Sequence, residues 1–111
     1  MSLRDTILNA DDCKLEKVTV PEWGCDVFIK VFSGKDREHM LKQQSDTESD
    51  SEKQALLLIT SICDQDGKKV FTANDVAALS EKSSHILDML TSKVLTVNGL
   101  NAEAVEEAEK N

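Results

Sequence analysis

Carboxylates are the first groups in this chain whose spacing suggests chemistry. Asp64-x-Asp66, with Asp75 at the twelfth position of the same stretch, has the outline of a calcium loop. Such a loop needs another oxygen ligand at its fifth position, Gly at the sixth and a bidentate Glu at the twelfth. Those places hold Lys68, Lys69 and Asp75. Two ammonium groups at the centre repel a cation, so the stretch reads as a turn. The only histidines, His39 and His85, each stand in polar helical context without a ligand-spaced Cys or second His. Ser83-Ser84-His85 cannot work as nucleophile and base, because neighbours along a helix point in different directions. The sequence contains no G-x-G-x-x-G, Walker or G-x-S-x-G pattern. No carboxylate is embedded in the apolar surroundings that would raise its pKa for acid–base work. These residues predict no catalytic centre, no metal and no cofactor.

Cys13, Cys25 and Cys63 are odd in number and lack C-x-x-C spacing, which fits small hydrophobes in a reducing compartment better than a disulfide framework. The formal charge of −8, from 21 acidic against 13 basic residues, argues against a phosphate-binding surface or an anionic membrane. No apolar run approaches the ~18–20 residues of a membrane span, and Met1-Ser2-Leu3-Arg4-Asp5 does not read as a signal peptide. An intracellular protein is expected. Its 111 residues predict one domain, burying roughly two-thirds of its unfolded surface. With Trp23, Phe28, Phe32 and Phe71 as the only aromatics, the core must be mainly aliphatic.

The elements follow from pattern. Ser2 can cap a short helix with Leu3 and Ile7 one turn apart and Leu8 beside them. Period-two alternation from Leu15 to Val20, interrupted by Pro21-Glu22-Trp23-Gly24, resumes from Cys25 to Phe32 and predicts a β-hairpin. Ser33 is an N-cap for a polar helix from Gly34 to about Gln44, with Met40 and Leu41 to bury. Residues 45–53 are polar and predict a flexible, solvated loop, the other reading being an acidic recognition segment. Ala55 to Ile59 is apolar on every side and predicts a buried helix. Asp66-Gly67 has the preferred composition of a type I′ turn between Ile62-Cys63 and Val70-Phe71.

Three helices are then expected. Thr72 with Asp75 resembles a capping box, with Val76 and Leu79 facing inward. Ser83 or Ser84 opens the next, with Ile86, Leu87, Leu90, Val94 and Leu95 at helical spacing, and Asn98-Gly99 closes it. Asn101 caps a last, Glu-rich helix with Ala104, Val105 and Ala108 on one face. The fold class is therefore α+β: one small domain, an N-terminal hairpin and a mostly helical C-terminal half.

Protein contact is the remaining class of function. Phe28 and Phe32 fall on the minor face of their strand. Either a helix covers them within the monomer or they belong to a subunit or partner interface, where aromatics are enriched. The stripe with Val105 and Ala108 reads as a solvated face or a docking element for another helix. Trp23 should fold back to anchor the hairpin.

In order and spacing, several stretches are similar to the tail assembly chaperone family of long-tailed, siphovirus-type bacteriophages. They are Ser2-Leu3-Arg4-Asp5 with Ile7 to Asp12, Val20-Pro21-Glu22-Trp23-Gly24, Asp66-Gly67 through Val70-Phe71-Thr72 to Leu79, Asn98-Gly99-Leu100, and Val105 to Asn111. The resemblance implies a non-enzymatic morphogenesis factor that binds the tape measure protein. It would keep that client soluble until tail tube subunits polymerise around it. It implies a homo-oligomer in the bacterial host cytoplasm, absent from the mature virion, and contact with the tail tube protein through a frameshifted longer form. No catalytic residue is carried over; Trp23, Phe28, Phe32, Val105 and Ala108 are the candidate protein contacts. The rival readings are a tail structural or completion protein and a small acidic adaptor with a basic partner.

Overall fold

A helix that is apolar on all sides cannot lie on a surface, and the fold is built around one. The computed structural model describes residues 2–99. Its helix α3, Asp50–Ser61, is buried continuously from Ala55 to Ser61. The helices α2 (Gly34–Ser45), α4 (Val76–Ser80) and α5 (Ser84–Val97) pack against it. Leu58, Leu90, Val94 and Ile29 are fully enclosed, and each such side chain contributes roughly 1.5–3 kcal/mol relative to exposure. Thr60 and Ser61 are buried hydroxyls on the same helix. Each donates to the carbonyl four residues back, Leu56 O at 2.8 Å and Leu57 O at 2.7 Å, so burial leaves neither unsatisfied.

The sheet forms the other layer. Strands β1 (Leu15–Val20) and β2 (Cys25–Lys30) pair antiparallel, from Leu15 opposite Lys30 to Val20 opposite Cys25. A 3-10 turn, Pro21–Trp23, joins them, and Gly24 closes it at φ 67°, where a Cβ would be strained. Val18, Val20, Val27 and Ile29 are buried as the alternation requires. The hairpin expectation is extended by a third strand. Directly after α3, Ile62–Cys63 forms β3 and pairs with Ile29 and Phe28, so the sheet order is β1-β2-β3.

Four local expectations change. The turn after β3 is not type I′, because that turn needs positive φ at two central residues and only Gly67 has it, at 81°. Asp64 instead starts a three-residue loop: its carbonyl accepts from Gly67 N–H at 3.0 Å and its N–H donates to Lys68 O at 2.9 Å. Residues 45–53, expected as one loop, include the end of α2 and the first turn of α3, leaving 46–49 between the helices. Their hydroxyls and carboxylates act as caps: Ser49 Oγ accepts from Glu52 N–H, and Thr47 Oγ1 donates to Glu52 Oε2 at 2.6 Å. Leu41, expected inside with Met40, is 48% exposed. Phe32 does not share a face with Phe28; β2 ends at Lys30, the alternation lapses, and Phe32 packs against the core. The Glu-rich helix expected from Asn101, with Val105 and Ala108, lies outside the described residues.

Two polar devices lock the layers together. At the end of α5, Asn98 Oδ1 accepts the Phe32 N–H at 2.7 Å, across 66 residues of sequence. Its Nδ2 donates to Val94 O at 2.9 Å and reaches Lys30 O at 3.5 Å. At the start of α2, Ser33 and Asp36 form a capping box, and Lys30 Nζ lies 2.9 Å from Asp36 Oδ2. Burial pushes the Asp36 carboxyl up, but the Lys30 bond and charge and the Ser33 backbone and hydroxyl outweigh it. They hold its pKa below the ordinary 3.8.

Asn98→Ala strands the Phe32 N–H, and urea unfolding should show a loss of roughly 1–3 kcal/mol with an unchanged far-ultraviolet spectrum. Asp36 contributes stability above its unfolded pKa that disappears as pH falls through its lower folded value. In urea titrations from neutral to strongly acid pH, Asp36→Asn should therefore be less stable than wild type at neutrality, with the difference vanishing well below 3.8.

Candidate protein-contact surface

Asp75, Ala78, Leu79 and Lys82 recur at i, i+3, i+4 and i+7, so they share one side of the short helical segment around α4. Thr72 positions that segment: its N–H donates to Asp75 Oδ2 at 2.8 Å. Opposite lie Trp23, from the β1–β2 turn, and Phe71, from the loop before α4. Together these six residues line an open groove of about 400 Å³. Trp23 and Phe71 are each half-buried against the core, leaving part of both rings to the groove. Trp23 does fold back onto the domain, but it leaves a hollow beside it.

Phe28 occupies a different place. It lies opposite Val27 and Ile29 on the outer face of the sheet, half-buried, and shares a second hollow with Lys17, Asp26 and Asp64. Lys17 is its cross-strand partner and pairs with Asp26 at 3.5 Å. At 60% and 41% side-chain exposure that ion pair adds little stability. The structure thus separates the candidates: Trp23 lines a groove, Phe28 marks the outer sheet face and Phe32 packs, partly buried, against the core. Val105 and Ala108 are not among the described residues.

A third apolar surface comes from α1, Leu3–Leu8, capped by Ser2 Oγ accepting from Asp5 N–H at 3.1 Å. Leu3, Ile7 and Leu8 are 75%, 62% and 65% exposed, and no residue of the helix is buried. Spacing alone reveals this stripe; that it stays exposed among the described residues is a tertiary fact. Phe71 and Ala78 are not legible in the sequence as surface residues, since no local pattern distinguishes a half-covered aromatic from a core one.

Asp64 and Asp75 of the calcium-like stretch have structural roles. Asp64 Oδ1 accepts from the N–H groups of Asp66 and Lys68, at 2.9 and 3.0 Å, and so holds the hairpin loop. His39 and His85 are exposed on separate helices. Among the described residues no three His, Cys, Asp or Glu side chains converge as a metal site, and no buried side-chain polar atom lacks a partner. Cys63 is buried under the outer face, its Sγ donating to Phe28 O at 3.4 Å. Burial pushes its thiol pKa up, the Asp64 charge adds to this, and Lys30 partly opposes it.

Compared with known families, residues 2–111 match a family model described as "Phage tail assembly chaperone". Among solved structures, the chain is similar in fold to the tail assembly chaperone of bacteriophage HK97. The TM-score is 0.62 at 22% identity, covering 85% of this chain and 91% of that one. A search of curated proteins finds no match.

The cysteines report on this surface. Cys25 is exposed, Cys13 half-buried and Cys63 buried with a raised pKa. Thiol labelling of the native protein followed by mass spectrometry should modify Cys25 first and leave Cys63 unreacted until denaturant is added.

Proposed function

The chain belongs to the phage tail assembly chaperone family, and from that premise we propose that it binds its phage's tape measure protein and keeps that client soluble. The match spanning residues 2–111 is the observation that carries this reading. The role is non-enzymatic. It is exercised in the cytoplasm of the bacterial host and ends when tube subunits polymerise and displace the chaperone, so the mature virion lacks it.

The physical demands of the role agree with the surfaces described. A holdase needs apolar contact area on an exterior that stays in solution. The net charge of −8 opposes nonspecific clumping. Phe28 gives the outer sheet face an aromatic anchor amid charged neighbours, an arrangement suited to a contact that forms and is later released. We assign client contact to this face and, on sequence grounds, to Val105 and Ala108. Further copies of this chain are the second partner, because a long client offers many binding segments. The groove at Trp23 is assigned to that self-contact.

Co-expression with the tape measure protein, followed by affinity capture and sizing chromatography, tests the reading. A soluble complex with several copies of this chain per client is expected, and Phe28→Asp should lower recovered client several-fold while the variant remains folded. An insoluble client beside a lone chaperone would overturn it.

A further inference from the structure

Two features of the same chain are incomplete and complementary. One is α1, whose Leu3 and Ile7 lie one turn apart on an exposed side, with Leu8 adjoining. The other is the unfilled groove between Trp23, Phe71 and Leu79. Residues 9–14 follow α1 without helix or strand, so the helix stands on a short arm rather than in a layer.

We propose that α1 of one copy seats Leu3 and Ile7 in the Trp23–Phe71–Leu79 groove of a second copy. This deepens, and rests on, the self-association part of the proposed function. Size supports it. A dry cavity of ~150 Å³ admits a benzene ring, so a groove of about 400 Å³ admits two aliphatic side chains. Charge supports it as well. Arg4 flanks the apolar stripe and is 77% exposed, held only by its neighbour Asp5 at 3.2 Å. Asp75 and Lys82 both stand in the groove lining, so the groove carries one charge of each sign, as the arm does with Arg4 and Asp5. Asp75 Oδ2 takes the Thr72 N–H, while its Oδ1 makes no bond among the described residues. Arg4 can exchange a weak exposed partner for that oxygen.

The contact is heterologous: the arm and the groove are different surfaces, so each copy can give an arm to one neighbour and receive one from another. Two or three side chains bury far less than the ~1,200–2,000 Å² of a standard stable interface. A single arm contact is therefore weak, and copies brought together on one client would strengthen it through effective concentration.

Analytical ultracentrifugation over a concentration series, with Trp23 emission as a local reporter, tests the contact. Wild type should sediment faster and shift its emission to the blue as concentration rises. Ile7→Asp disables the arm and Ala78→Glu the groove. Both positions are exposed, so each variant should keep the wild-type melting temperature. Each alone should stay monomeric, and their equimolar mixture should form a dimer, since one intact arm meets one intact groove. If wild type is a monomer throughout, self-association itself fails. If an emission shift on Ile7→Asp is independent of concentration, the arm occupies its own groove and the proposal is overturned. Variants that associate like wild type, or a mixture that stays monomeric, overturn the arm contact while leaving self-association by another surface intact.

Discussion

The need to keep water from a helix that is apolar all round governs this fold. From Ala55 to Ser61, α3 offers no polar face to solvent, so every direction around it must be filled. Three helices pack around it, and the sheet, meeting α5 through β2, closes the rest of the shared core. The sheet can be small because it supplies one wall of a core, and β3, only two residues long, adds just enough width for Ile62 to continue that wall. Once the core is closed, little apolar sequence among the described residues remains uncommitted: α1, part of the Trp23–Phe71 pair, Phe28 on the outer sheet face and scattered residues such as Leu41 and Val70.

Electrostatics acts on the exterior more than on the fold. Two of the three ion pairs among the described residues are exposed, and only Lys30–Asp36 is sheltered, at 29% and 22% side-chain exposure. Stability therefore comes from aliphatic burial, helix caps and the Asn98 bonds. Excess acid sets up a general repulsion between copies, against which only a contact with matched shape and local opposite charge can prevail.

Much of this was legible in residues one to five places apart. Ser33, Thr72 with Asp75, and the spacing of Ile86, Leu87, Leu90 and Val94 announce their helices because caps and periodicity are local. The all-apolar Ala55 to Ile59 announced the centre of the core. The errors share a different origin. Ile62 and Cys63 become a strand only because β2 lies beside them. Phe32 leaves the strand's alternation because β2 ends at Lys30, and its N–H then bonds Asn98 at the far end of α5. The serines and threonine of 45–53 had the composition of a linker, yet the same side chains are good helix initiators when a helix has somewhere to pack. For the contact surfaces, sequence identified apolar residues but not which would be left uncovered, since cover is a property of the finished packing.

Asn98 has a mechanical consequence. The last residues of a helix normally fray first, and tension on the following chain would peel them away one turn at a time. Here Asn98 is bonded to the backbone just beyond β2, and Gly99 follows at φ 71°. A load applied at Gly99 therefore meets Asn98's bonds to Phe32 N–H and Lys30 O first, and these must break before the last turn of α5 can unwind. The end of α5 is thus tied beside the central strand of the sheet instead of being free to fray.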